Sequence, residues 1–189
     1  MKLVRIAGLF LAANLVINTA GAQDKMAAEK TVMVGGAAMY PSKNIIENAV
    51  NSKDHTTLVA AVKAAGLVET LQGTGPFTVF APTNEAFDKL PKGTVDNLVK
   101  PENKATLTKI LTYHVVQGKL DAAAIAAMIK AGGGKAALKT VSGGTLTAMM
   151  KGSKLVITDE KGSMATVTIK NVNQRNGVIQ VIDTVLMPD

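Results

Sequence analysis

Two histidines, His55 and His114, are the only side chains in this 189-residue sequence whose ordinary pKa lies near neutrality. To act as a base, such an imidazole needs an oriented nucleophile and usually a third group that holds it. The sequence has no cysteine, which removes thiol chemistry and zinc–thiolate sites. No serine sits in a Gly-x-Ser-x-Gly elbow. Two histidines without cysteine do not build a common transition-metal cage. Asp159-Glu160 lacks the acidic spacing of a calcium loop and reads as a solvated turn. Gly132-Gly-Gly-Lys135 lacks the earlier glycine and the following Ser or Thr of a phosphate loop, and reads as a helix stop and linker. The expectation is a chain with no catalytic residues, no metal and no cofactor.

His55 falls in the first turn of an amphipathic segment and reads as a solvated surface residue. His114 follows Tyr113 where the apolar period changes from helical to extended. With no triad in sight, it reads as buried and hydrogen-bonded. Lys135, Lys139, Lys151, Lys154, Lys161 and Lys170 lie along one region, opposed there only by Asp159 and Glu160. Such a basic strand face suits an acidic glycan, but the plainer reading is that its lysines guard exposed strand edges against pairing. Nucleic acid is not expected, because no stacking aromatic residues accompany these charges. Met149 and Met150 read as core filler.

The elements that must position these groups are legible in order. Lys2 and Arg5, an apolar run over 6–17 and Ala20-Gly-Ala22 predict a cleaved signal peptide at 1–22. Residues 23–42, with Gly35-Gly36, read as a flexible leader, and the remainder, 43–188, as a single domain. Leu58, Val59, Val62 and Ala65 predict a helix capped by Asp54 and stopped at Gly66. Helical patterns also fall at 44–50, 95–100, around Leu107, Ile110 and Leu111, and after Asp121, with Leu120 and Ile125 spaced as a staple. Expected strands are 77–80, 113–116, 137–141, 145–151, 154–158, 166–170 and 178–182, with a hairpin turn at Asn176-Gly177. Helices mostly before 131 and strands mostly after it make an α+β domain. Three of the four phenylalanines, Phe77, Phe80 and Phe87, sit on a strand, turn and helix centred on Pro82 and Thr83. The largest core anchors are therefore concentrated there.

Thr78-Val-Phe-Ala-Pro-Thr-Asn-Glu-Ala-Phe87 resembles the first signature of fasciclin-like domains. Tyr113-His114 is similar to their central Tyr-His pair, and Val178 to Pro188 to their closing signature. The likeness spans roughly Gly35 to Pro188 and is strongest with secreted single-domain bacterial members. One position departs: Gln180 stands where family members often carry His. The resemblance implies a twisted β-wedge of two small sheets flanked by a layer of several short helices. It implies that Phe80, Pro82, Thr83, Asn84, Phe87, His114, Gln180 and Asp183 are structural motif residues, with Asn84 and Asp183 as candidate partners of His114. Adhesion in the family is associated with the Tyr-His region and the closing signature, which points to Tyr113, His114 and Asp183 as binding residues.

The expected function is an exported, monomeric, non-enzymatic adhesion or interaction module of the periplasm or cell exterior. Its partner would be a cell-surface or matrix protein, or an acidic glycan. No membrane span is expected after signal cleavage. One alternative is a carrier of a small apolar or lipid ligand, which needs a pocket of a few hundred Å³ or more. The other is a hydrolase, which needs a serine hydroxyl within reach of His114.

Overall fold

A computed structural model describes residues 29–189; the signal-peptide segment lies outside them. Its centre is β9 (Gly177–Ile182), buried along its whole length. A continuous apolar run of this kind suits a strand with neighbours on both edges and layers on both faces. On one edge β9 pairs in parallel with β3 (Phe77–Pro82), Phe80 opposite Gln180. On the other it pairs antiparallel with β8 (Met164–Gln174). The full order is β4-β3-β9-β8-β7-β6-β5, with β4 at Val115–Gln117, β5 at Lys135–Lys139, β6 at Thr145–Lys151 and β7 at Lys154–Thr158.

The two sheets of the expected wedge are joined. Strand β8 is long enough to serve both: its first residues pair with β7 and its later ones with β9. Register shifts at 167–169 and 169–172 bend it between the two. The outermost strands, β4 and β5, meet at one bridge, Val116 to Thr140, so the seven-stranded sheet nearly closes.

Among the described residues seven short α-helices cover this sheet. Helix α1 (Ile45–Ala49) carries a full capping box between Asn44 and Glu47. Helix α2 (Thr56–Ala65) ends at Gly66 in the left-handed region, with Leu67 N–H bonded back to Val62. Then come α3 (Val68–Gln72), α4 (Asn84–Asp88), α5 (Thr94–Leu98) and α6 (Lys104–Tyr113). Helix α7 (Ala122–Ala131) is capped by Asp121 and anchors Ile125 and Ile129 in the core. Among the described residues no helix is long and apolar enough to cross a membrane.

Several boundaries differ from the sequence reading. The leader is structured from Val32: β1 (Val32–Val34) and β2 (Ala37–Met39) form a hairpin within the span expected to be flexible. Gly35 and Gly36 both have positive φ, the conformation of a two-residue hairpin turn, so the glycine pair is a turn and not a linker. Tyr113 ends α6 and His114 caps it, so β4 starts at Val115. Strand β5 lies two residues earlier than expected and ends at Lys139, because Thr140 bonds Gly144 in a turn and Val141 turns towards Val115. Met150 is exposed and Met149 half-buried, so neither fills the core.

Candidate functional site

Helix α6 sets the Tyr113–His114 pair. Tyr113, in its last turn, faces inward and is fully buried. Its hydroxyl donates to the Thr145 carbonyl at 3.0 Å and accepts from Glu160 N–H at 3.1 Å. Burial pushes the phenol up to about 12. Gly144 makes room for the ring: a Cβ there would stand 2.6 Å from a ring carbon. The Glu160 carboxylate in turn accepts from Thr145 N–H at 2.9 Å.

His114 is 3% exposed and uses both ring nitrogens. Its Nδ1 lies 2.9 Å from the Ile110 carbonyl, and Leu186 N–H donates to Nε2 at 3.0 Å. These partners fix the neutral tautomer with the proton on Nδ1. Burial lowers its pKa to about 4, outweighing the pull of the Ile110 carbonyl and of Asp159. Neither expected partner touches it. With both nitrogens committed, His114 has no lone pair free to take a proton from a substrate.

Asn84 instead caps α2 from a distance. Its Oδ1 accepts from Thr57 N–H at 3.0 Å and from the Thr56 hydroxyl at 3.2 Å; its amide donates to the Lys53 carbonyl at 2.8 Å. Asp54, the expected cap, makes no cap bond, because Lys53–His55 form a separate tight turn before the helix. Asp183 is half-buried and accepts from Thr166 N–H at 2.8 Å and from the Thr184 hydroxyl at 3.1 Å. Thr83 caps α4 through Ala86 N–H, while Phe80, Pro82 and Phe87 are buried.

Gln180, fully buried on β9, accepts from Asn171 N–H at 3.1 Å. It donates to the Leu120 carbonyl at 3.2 Å and to Asn171 Oδ1 at 3.3 Å. Asn171 has a φ of 59° at the irregular stretch of β8. The site therefore takes two donors and one acceptor from a single side chain. A neutral imidazole offers one of each, which accounts for an amide here.

Two further corrections concern charge and burial. Asp159 is not a solvated turn residue: it is buried and accepts from Ser163 N–H at 2.7 Å and Met187 N–H at 2.9 Å, tying the β7–β8 turn to the closing signature. His55 is not solvated either, at 3% exposure. Its spacing to Leu58 and Val62, three and seven residues on, places it on the apolar face of α2. That periodicity was the available signal.

His55 Nδ1 lies 2.9 Å from Ser52 Oγ, and its Nε2 has no hydrogen-bond partner within reach. Burial lowers its pKa, against weaker upward pulls from the Ala81 carbonyl and Asp54. The pair borders an apolar cavity between α1, α2 and the sheet, walled by Ile46, Leu58, Val62, Val79 and Val172. Its volume is about 50 Å³. That holds a few water-sized molecules at most and falls well short of the space an apolar carrier needs. No carboxylate orients the imidazole, and both members are buried, so the pair lacks the third group and the substrate access of a hydrolase. Among the described residues no group of three or more His, Asp or Glu side chains gathers as a metal site.

The polar pins that sequence reasoning missed are amides. Asn176, expected only as a turn residue, is buried; it accepts from Ile45 N–H at 3.1 Å and donates to the Leu71 and Gly73 carbonyls, each at 2.8 Å. Asn48 bonds Tyr40 through both its backbone groups and reaches the Gln174 side chain. Apart from the Asn48–Tyr40 bonds, these contacts link residues over a hundred positions apart, and no local pattern announces them.

Comparison with known proteins gives a consistent picture. The model of the fasciclin domain matches residues 53–188. Protein sll1483 of Synechocystis is 48% identical over 160 residues, covering 85% of this chain and 82% of that one. The immunogenic protein MPB70 of Mycobacterium bovis is 38% identical over 145 residues, covering 74% of this chain and 66% of that one. The cell surface glycolipoprotein MPB83 of the same species is 34% identical over 167 residues, 86% of this chain and 68% of that one. A solved pair of such domains from the insect cell adhesion molecule fasciclin I superposes with a TM-score of 0.70 at 16% identity, over 85% of this chain and 58% of that one.

Proposed function

The chain belongs to the fasciclin domain family, and from that premise we propose that it is a non-enzymatic module acting by surface contact outside the cytoplasm. One observation supports this above the rest. Four polar side chains of the three signatures spend their bonding groups on the protein itself: Tyr113, His114, Asn84 and Gln180 each hold one element against another. Chemistry needs groups left free at a site that substrate reaches, and these are neither. Export agrees with the signal-peptide pattern of residues 1–22 and with the cell-surface name of a relative.

Tyr113 and His114 then act on binding through the shape they give the surface. Of the three candidate binding residues, Asp183 alone has a side chain that solvent reaches. Partners are cell-surface or matrix proteins. The test uses the chain from residue 23 as bait in envelope extract and culture medium. Specific capture of an envelope or matrix component, lost on heat denaturation of the bait, is the expected outcome. Turnover of an ester panel by the pure protein, abolished in a folded His55→Ala or His114→Ala variant, would replace this reading with a hydrolase.

A further inference from the structure

We propose that the open seam between β4 and β5 receives an extended, acidic peptide segment of a partner protein as an added strand. The proposal rests on the interaction-module reading and names the surface and the kind of partner.

Strands β4 and β5 are the two ends of the seven-stranded sheet, so each has an unpaired edge. They meet only where Val116 bridges Thr140 and Val141 N–H donates to the Val115 carbonyl at 2.8 Å. After Gln117 the chain leaves the seam. Gly118 N–H bonds the Pro76 carbonyl and Leu120 N–H bonds the Thr78 hydroxyl, which draws the segment towards β3. Strand β5 continues from Lys139 back to Lys135, paired with β6 on one edge and, among the described residues, with no strand on the other.

Its hydrogen-bonding sense follows from the neighbouring turn. Thr140 N–H bonds the Gly144 carbonyl, so residues 140, 138 and 136 address β6. Ala137 therefore turns its N–H and C=O groups, and Lys135 its N–H, to the open edge, while the Lys135 carbonyl packs against Gly132. A groove of about 370 Å³ runs along that edge, lined by Val116, Gln117, Leu120, Met128 and Ala137. Met128 and Val141 are exposed beside it. The small side chain of Ala137 lets another main chain approach closely.

Charge selects the occupant. Lys139 lines the groove, and Lys119, Lys130 and Lys135 stand within two positions in sequence of the lining residues Leu120, Met128 and Ala137, all exposed. Among the described residues the ion pair formed joins Arg175 to Glu47, elsewhere, and the nearby Asp121 is spent on capping α7. A second copy of β5 laid antiparallel would set Lys135 against Lys139, so like charges oppose self-pairing. A strand with Asp or Glu alternating with small aliphatic residues matches both the ladder and the charge. A glycan would meet the lysines but make no use of the alternating backbone groups.

The test pans a displayed library of random eight-residue peptides against the protein. The enriched peptides are then titrated against two variants. Ala137→Pro removes an N–H that faces the open edge and not β6, a position where proline is tolerated. Lys135→Glu/Lys139→Glu reverses the charge without touching the backbone. The expected result is enrichment of alternating acidic and small aliphatic residues, with affinity lowered about tenfold or more in each variant that keeps its melting temperature. The Lys135 and Ala137 amide resonances of the wild type should shift on titration. No acidic enrichment, or peptides that bind both variants undiminished, would overturn the proposal. So would a face that binds only a sulfated glycan, with loss on charge reversal and none with Ala137→Pro. Capture of an envelope partner that both variants retain would leave the interaction-module reading standing and remove the seam from it.

Discussion

The helix-covered core and the hairpin core of this protein are held together in different ways. The first packs Ile45, Ile46, Leu58, Val62, Leu107 and Leu111 against β3 and β9. Its parts come from distant stretches of chain, joined by side-chain amides: the buried Asn176 to α1 and α3, the buried Asn48 to Gln174, and the half-buried Asn84 to the start of α2. The second packs Leu138, Leu146, Ala148, Leu155 and Ile157 beneath α7. There successive antiparallel pairings of β5 to β8 do the work, and the alternation of buried and exposed residues fixes each face. A cavity of about 50 Å³ lies in the first core, and the groove of about 370 Å³ borders the second at Val116 and Leu138.

The largest expected effect sharpens the contrast. Ile157→Ala, in the hairpin core, should cost about 4 kcal/mol, because close-packed surroundings cannot collapse into the space left. In a domain of this size that lowers the melting temperature by roughly ten degrees, measurable by calorimetry. A loss below about 1 kcal/mol would mean that the hairpin core relaxes around the lost atoms.

Asn176→Ala should come next, at about 3 kcal/mol, because it strands one N–H and two carbonyls in the helix-covered core. Urea unfolding would read it, and a loss no larger than that of an exposed asparagine would break the idea of amide pins.

The imidazoles give a pH signature. His114 falls to about 4 in the folded state from 6.5, and His55 is lowered too. The unfolded chain therefore binds protons that the folded one refuses. Stability is full above the unfolded pKa and falls as pH drops from about 6.5 towards 4. His114 alone contributes a loss of about 2 kcal/mol between pH 7 and 5. Denaturant midpoints across that range should flatten in His114→Gln, and an unchanged slope would show that His114 is charged when folded.

A smaller effect tests the remote cap. Asn84→Ala should cost about 1 kcal/mol, whereas Asp54→Ala should be near neutral. The reverse order would return the cap to Asp54. Smallest of all, Val62→Ile adds one carbon beside the cavity and should change stability by about 0.5 kcal/mol or less, with a gain if the cavity accepts it. A loss above about 1 kcal/mol would deny that the spare volume adjoins α2.

Much of the fold was legible because it is local. The strands at 145–151 and 154–158, the Gly66 stop and the Asp121 cap follow from alternation, backbone preference and short side-chain reach. His55 was legible too, through its spacing to Leu58 and Val62, but polarity outweighed periodicity in the reading. The partners of His114, Asn84 and Asn176 were not legible. Each bond crosses between elements whose meeting depends on the whole sheet.

The sequence by itself determined where elements start and stop, the aromatic anchor at Phe77 to Phe87, and a chain without thiol chemistry. Those properties reside in side-chain size, backbone freedom and composition. Tertiary structure alone decided that Asp159 and His55 are buried, that Gln180 spends its amide on Leu120 and Asn171, and that the ends of the sheet meet at a single bridge. Each of these depends on which groups face one another across the fold, and a hydrogen bond or a free edge exists only once both sides are in place.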